Sequence, residues 1–138
     1  GRVVLGAASI QNTVEKVTVS ATAATGTINY DVITQAVLYY TSAASGNFTV
    51  NFRGDGSNSL NNIMDTGESL TVAFLTTNTG TPYYNNAVTI DGSSVTPEWQ
   101  GGSAPTGGNA SSIDVYTYTI IKTGDAAFTA LAAQSQFA

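Results

Sequence analysis

Short runs of β-forming residues that alternate between apolar and polar positions constrain the fold of this chain most. In the clearest run, Phe48, Val50 and Phe52 face one way and the polar residues between them face the other. This two-residue period predicts strands with one buried and one wetted face, as in an antiparallel sheet. Similar runs cover residues 15–22, 27–41, 69–76, 86–90 and 113–122, and residues 128–137 form either a last strand or, given their alanines, a helix.

Two of these runs carry further information. Residues 27–41 are long enough for one bent strand or for two strands. Residues 113–122 carry bulky side chains on both faces, which predicts a central strand or one that meets a partner.

Turn-forming residues separate the runs at regular spacing, for example at residues 54–56, 91–92 and 123–125. We therefore predict an all-β fold, an antiparallel β-sandwich of the jelly-roll type with seven to eight strands. One short helical turn is expected at residues 59–64, with a serine or asparagine among residues 57–59 as its cap.

Length and composition indicate one domain. The chain has 138 residues, of which 42% are hydrophobic, enough for a core without disulfides or a metal. We expect residues 15–138 to form a single β-sandwich domain and residues 1–14 to form an N-terminal arm or linker. This arm is apolar at Val3, Val4 and Leu5, so we expect it to contact neighbouring proteins.

The polar residues of the chain are poorly suited to catalysis. Ser, Thr, Asn and Gly supply 59 residues, Asp, Glu, Lys and Arg supply 13, and there is no His or Cys. A serine nucleophile would have only Lys16 or Lys122 as a base, and most acidic residues lie in turns beside Gly or Thr. Residues 55–59 lack the ligand spacing of a calcium loop. We therefore predict no catalytic residues, no metal and no cofactor.

The charge pattern argues against two further classes of partner. The net charge is −5, and the four cations Arg2, Lys16, Arg53 and Lys122 are scattered along the sequence. No basic cluster is present to neutralise phosphates, so we expect neither nucleic acid nor an anionic membrane surface as a partner.

Aromatic residues beside amides are the best candidates for binding. A tyrosine or tryptophan ring can cover the apolar face of a sugar while amides hydrogen-bond its hydroxyl groups. Packing in the core or at a subunit interface is the alternative for the same residues. The candidate contacts for a glycan or a partner are Tyr83, Tyr84, Asn85, Asn86 and Trp99.

Several segments of the chain carry a resemblance to a known family. They are Phe48-Thr49-Val50-Asn51-Phe52-Arg53-Gly54-Asp55-Gly56, Leu60-Asn61-Asn62-Ile63-Met64, Gly67-Glu68-Ser69, Trp99-Gln100-Gly101-Gly102, Ala104-Pro105, Gly108-Asn109-Ala110-Ser111-Ser112, Tyr116-Thr117-Tyr118-Thr119-Ile120-Ile121-Lys122-Thr123-Gly124 and Phe137-Ala138. These segments resemble a domain of virion structural proteins in tailed bacteriophages, especially those of marine cyanobacteria. The resemblance spans most of the chain from Glu15 onward and implies a virion component, without implying any catalytic or binding residue.

Together these observations predict a non-enzymatic structural protein of a tailed-phage virion. It would belong to a fibre, a tail appendage or a capsid decoration and act as a homo-oligomer, with a trimer as one option. The alternative is a carbohydrate-binding or adhesin module for a host-surface glycan. A hydrolase that uses paired carboxylates is a third hypothesis, weakened by the positions of the acids in turns.

Overall fold

A computed structural model describes residues 2–138 and consists mostly of β-strands. The all-β class predicted from the sequence is confirmed. In chain order the elements are β1 (Val17–Ala23), β2 (Gly26–Asp31), β3 (Val37–Ala43), β4 (Phe48–Arg53), helical turn α1 (Leu60–Ile63), β5 (Ser69–Asn78), β6 (Asn85–Ile90), β7 (Ser93–Val95), β8 (Glu98–Trp99), a 3-10 turn (Gln100–Gly102), β9 (Ser112–Gly124) and β10 (Ala127–Phe137).

The strands form two sheets. The six-stranded sheet has the order β1-β3-β5-β9-β10-β8, and the four-stranded sheet has the order β2-β4-β6-β7. Strands β1, β3 and β5 run parallel in the first sheet, and β2, β4 and β6 run parallel in the second. Both sheets are mixed, because β9 and β7 pair antiparallel with their neighbours.

Successive strands belong alternately to the two sheets, so the first six strands form three consecutive pairs, which we call rungs. Rung 1 consists of β1 and β2, rung 2 of β3 and β4, and rung 3 of β5 and β6. Each rung stacks in parallel on the one before it. The hairpin of β9 and β10 then extends the six-stranded sheet beyond rung 3.

The predicted antiparallel pairing is wrong for five of the eight strand pairs, which are parallel. Side chains alternate every two residues in both kinds of strand, so the sequence pattern does not report strand direction. The turns between the early strands join strands of opposite sheets.

The predicted helical turn is confirmed: α1 lies where it was expected, and the side chain of Ser59 caps it by accepting from the backbone N–H of Asn62. The structure also decides between alternatives that the sequence left open. Residues 27–41 form two strands, β2 and β3, and residues 128–137 lie in strand β10 and not in a helix. Strand β9 lies in the interior of its sheet. The total of ten strands exceeds the predicted seven to eight because β7 and β8 have only three and two residues, too few to show alternation.

Aromatic side chains fill the space between the two sheets. The ring of Phe48 in β4 lies 5.4 Å from that of Phe74 in β5 and 5.8 Å from that of Tyr116 in β9. The ring of Phe52 in β4 lies 4.9 Å from that of Tyr118 in β9. All five side chains are almost completely buried. Since each aromatic ring of this size removes about 150–250 Å² from water, these contacts supply much of the attraction between the sheets.

The N-terminal segment, residues 2–16, forms neither helix nor strand. Its apolar side chains face solvent, and Val3 is 85% exposed. The guanidinium of Arg2 connects the start of the segment to the body of the protein, through ion pairs of 3.0 Å with Asp65 and 2.9 Å with Glu68. The hydrogen bond from Arg2 is the main reason that the pKa of the Glu68 carboxyl lies below its usual value.

Helical turn α1 is held at both ends by residues distant in sequence. The carboxylate of Asp91 accepts hydrogen bonds from the backbone N–H groups of Leu60 (2.7 Å) and Asn61 (3.0 Å). The buried ammonium of Lys122 donates to the carbonyl oxygens of Asn61 (2.6 Å) and Met64 (2.8 Å). A single turn has too few internal hydrogen bonds to be stable alone, so these external partners determine that it forms.

We predict that Asp91→Ala lowers the free energy of unfolding by about 1–2 kcal/mol, the usual cost of losing a helix cap. Asp91 also has a positive φ of 50°, which Asn tolerates better than Ala. Asp91→Asn keeps one of the two acceptor oxygens, so it is the matched comparison and should lose less stability than Asp91→Ala. Urea unfolding followed by circular dichroism measures both, and equal losses in the two variants would contradict this role for Asp91.

Candidate functional site

The five residues predicted as glycan or partner contacts do not form one cluster. Asn85 is buried, and its side chain is occupied within the protein. Its amide nitrogen donates to the carbonyl oxygens of Phe48 (3.0 Å) and Ala87 (2.7 Å), and its amide oxygen accepts from the hydroxyl of Tyr118 (2.9 Å). Asn85 therefore joins the four-stranded sheet to β9 and has no free group directed at a ligand.

Tyr83 and Tyr84 precede β6 and are half-buried. Tyr83 packs against the core, and its backbone N–H and carbonyl both bond to the side chain of Asn78. The backbone N–H of Tyr84 donates to the amide oxygen of Asn47. Neither residue belongs to the lining of the groove that contains Trp99.

Asn86 and Trp99 do lie together, in a surface groove of about 280 Å³. Trp99 is half-buried, with its ring edge-on to Tyr116 at 6.5 Å, and Asn86 is exposed. The groove runs between β6, β7 and the loop that follows β8. It offers an indole ring, two proline rings and several small polar groups. Besides Asn85, Asn86 and Trp99, the lining includes Ser94, Val95, Thr96, Pro97 and Pro105.

Sequence reasoning missed that Asp114 anchors a long loop. Its side chain is fully buried and accepts hydrogen bonds from Asn78 Nδ2 (3.2 Å), the Asn109 backbone N–H (2.9 Å) and Asn109 Nδ2 (2.8 Å). Gly108 lies so close to the carbonyl of Tyr83 that any side chain there would collide with it. The acidic side chain of Asp114 thus serves to fix the loop on the body of the protein.

The other acidic residues are dispersed over the molecule. Asp55 folds its own loop, because its Oδ1 accepts from the backbone N–H groups of Ser57 and Asn58, both at 2.8 Å. The hydrogen bond from Ser57 is the main reason that the pKa of the Asp55 carboxyl lies below its usual value. Asp31 pairs with Arg53 at 2.6 Å. Between Arg2 and Ala138, no three carboxylates come close enough together to hold a metal ion.

The outward side of strands β1, β3, β5, β9 and β10 is a broad surface without charged residues. Cross-strand pairing places Val19, Tyr39, Leu75 and Val115 in one row across four strands. We call this side the outer face. It consists of the hydroxyl residues Ser69, Thr71, Thr77, Thr117, Thr119, Thr129 and Ser135, and of the apolar residues Val17, Val19, Val37, Tyr39, Ala73, Leu75, Ile113, Val115, Ile121, Leu131, Ala133 and Phe137.

The size of the outer face matches that of a protein interface. With about 4.8 Å between strands and about 3.3 Å per residue, the strands present roughly 800 Å² of sheet. A specific interface of standard size buries about 800 Å² on each partner. Val19, Leu131 and Phe137 are exposed on this face, and Phe137 is 61% accessible. Glu98 of β8 stands at the rim of the face, next to Leu131.

The sequence contained a signal for the outer face. Residues 113–122 showed bulky side chains on both sides, and the structure places Tyr116, Tyr118 and Ile120 inside. Ile113 and Val115 occupy the opposite side. What the pattern did not show was that five neighbouring strands would place uncharged residues side by side.

Comparison of the chain with protein-family models, with curated proteins and with solved structures found no match. In the part of the chain that the structure describes, no helix has the length and apolar character needed to span a membrane.

Three tyrosines in the interior should make the protein sensitive to alkali. Burial raises the pKa of Tyr116 to about 12 and raises the pKa values of Tyr30 and Tyr118 as well. In the unfolded chain a tyrosine ionises near pH 10. The folded state therefore holds these protons more tightly. The stability that they contribute is complete below about pH 10 and is lost as the pH rises towards 12.

We predict that the urea midpoint falls as the pH rises from about 10 to about 12, and that tyrosinate absorbance from the buried rings rises only with unfolding. Tyr116→Phe removes one of the three groups, so its midpoint should fall less steeply with pH than that of the parent chain. A parent midpoint that stays constant through this range would contradict the prediction.

Proposed function

We propose that this chain is a non-enzymatic structural protein of a tailed-phage virion. It would be located in the extracellular particle, as part of a fibre, a tail appendage or a capsid decoration. In this proposal its two facing sheets act as a rigid building block of the sandwich type. The phage assignment rests on the sequence resemblance, and purified particles labelled with antibody against the chain would test it directly.

The observation that supports a structural role is the outer face of the six-stranded sheet. An exposed surface of this area without charge is typical of contacts between proteins. For a chain of net charge −5, contact between copies is opposed by electrostatic repulsion. That repulsion is weakest where the contacting surface itself has no charge. We therefore propose that copies of this chain pack through the outer face, while the exposed N-terminal segment contacts other virion proteins.

We predict that the chain sediments as a homo-oligomer and that Leu75→Asp converts it towards monomer. Leu75 lies between Tyr39 and Val115 in the middle of the face, so the new carboxylate would be buried without a partner. Burying an unpaired charge costs about 3–5 kcal/mol, enough to weaken association by roughly two to three orders of magnitude.

The control for this experiment is Thr49→Asp. Thr49 points outward from the four-stranded sheet and undergoes the same change in charge. Sedimentation velocity over a range of concentrations should show an oligomer for the parent chain and for Thr49→Asp. A monomeric parent chain, or equal dissociation of the two variants, would refute packing through the outer face.

A second candidate function is binding of a host-surface glycan in the groove at Trp99. The observation in its favour is that Asn86 and Trp99, two of the predicted contact residues, line the same groove. The indole could stack on a sugar ring while the amide of Asn86 and the hydroxyl of Ser94 bond its hydroxyl groups.

If the groove binds glycan, Trp99→Ala and Asn86→Ala should each weaken binding on a glycan array by about 10-fold or more, since one stacking or hydrogen-bonding contact is worth about 1–3 kcal/mol. Tyr84→Ala is the control, because Tyr84 lies outside the lining of the groove. If the parent chain binds no glycan, the structural role remains as the only proposed function.

A further inference from the structure

Strand β1 is an open edge of the six-stranded sheet. It pairs with β3 on one side, and no other strand of the described chain lies on its other side. Its seven residues, Val17–Ala23, include no charge and no proline. Val19 is 65% exposed. Natural edge strands are normally protected from further pairing by charges, prolines or very short length, so β1 lacks the usual protection.

The other sheet edges in residues 2–138 are better protected. Strand β8 has two residues, one of which is Glu98, and Pro97 precedes it. Strand β7 has three residues. Strand β2 ends at Asp31, which forms an ion pair with Arg53. Strand β1 is therefore the edge best suited to accept another strand.

The free hydrogen-bonding groups on β1 can be assigned from its register. The carbonyl of Lys16 accepts from the backbone N–H groups of Ala36 and Val37, so Lys16 points towards β3. In a parallel pair, alternate residues direct both their N–H and C=O groups towards the same neighbour. Val17 and Val19 therefore direct their N–H and C=O groups outward, as Ala21 does its N–H, and no strand of the described chain lies there.

We propose that β1 pairs antiparallel with β1 of a second copy of this chain, about a two-fold axis at Val19. Val19 would then exchange two backbone hydrogen bonds with its symmetry mate, and the carbonyl of Val17 would accept from the N–H of Ala21 of the other copy. The β1–β3 register is regular from Val17 to Ser20 and shifts between Ser20 and Ala23, so Ala21 is the last residue that the proposed pairing uses. The result is one continuous sheet that extends across both copies.

A second copy fits this edge better than an unrelated strand. The two-fold arrangement satisfies the same exposed groups on both partners at once, as an isologous interface requires. It places uncharged side chains opposite one another, so the net charge of −5 on each copy does not oppose contact there. It also makes the outer faces of the two copies continuous. This pairing is independent of the proposed packing through the outer face, and the two can be tested separately.

The absence of cysteine makes the test direct, because any introduced cysteine is the only thiol in the chain. In the proposed register, Val19→Cys places two α-carbons about 5.5 Å apart, within disulfide range. Mild oxidation should link this variant into dimers about 10- to 100-fold faster than Ser94→Cys, an exposed control on β7. Val17→Cys mixed with Ala21→Cys should give mixed dimers, while each alone should link slowly.

A charge introduced at this edge gives an independent test of the pairing. Val19→Lys would place two ammonium groups opposite each other and should weaken the β1 contact at least about 10-fold in sedimentation, whereas Val19→Thr should retain it.

Slow linking of Val19→Cys in a chain that still sediments as an oligomer would overturn the edge pairing and leave packing through the outer face intact. Fast linking of Val17→Cys with itself would equally overturn the proposed register. Fast linking of Val19→Cys, together with an unchanged oligomer in the Leu75→Asp variant, would support pairing through β1 and refute packing through the outer face.

Discussion

The contact between Phe48, Phe74 and Tyr116 is the interaction on which the rest of the structure depends. It joins β4 of one sheet to β5 and β9 of the other, and all three rings are nearly inaccessible to water. A chain whose strands alternate between two sheets gains little from any single strand pair, since each rung is stable only when both of its strands cover the same interior. The aromatic layer supplies that interior. It also explains why few charged residues are needed, because the attraction is apolar.

Polar groups inside this layer have structural tasks. Asn85 and Lys122 bond to segments that lie far away in sequence, β9 and helical turn α1, and Asp114 joins Asn78 of β5 to the loop just before β9. A buried polar group is costly unless its hydrogen-bonding capacity is met, so residues that bond in this way fix the geometry of loops more narrowly than apolar packing does. Most of the residues that resemble reactive or binding groups in the sequence are used in this way. The surfaces left for partners are the outer face, the groove at Trp99 and the open edge of β1.

The outer face and the β1 edge meet along the same strand, which connects the two proposals on assembly. Packing through a face and pairing through an edge use different forces: burial of apolar area in the first case and backbone hydrogen bonds in the second. An assembly that uses both contacts can extend beyond a dimer into an open array, whereas two-fold pairing through the β1 edge alone closes at a dimer.

The sequence by itself determined most of the extended segments and the position and cap of helical turn α1, because side-chain alternation and capping are local properties. It left residues 128–137 open between strand and helix, and the contacts of Asp91 and Lys122 that stabilise α1 are visible only in the tertiary structure. Only the tertiary structure decided that β1, β3 and β5 run parallel, since the two-residue period is the same in both directions. It also decided that Asn85 lies in the core while Asn86 lines a groove, because a neighbouring residue on a strand points to the opposite side and only distant partners select which side is buried.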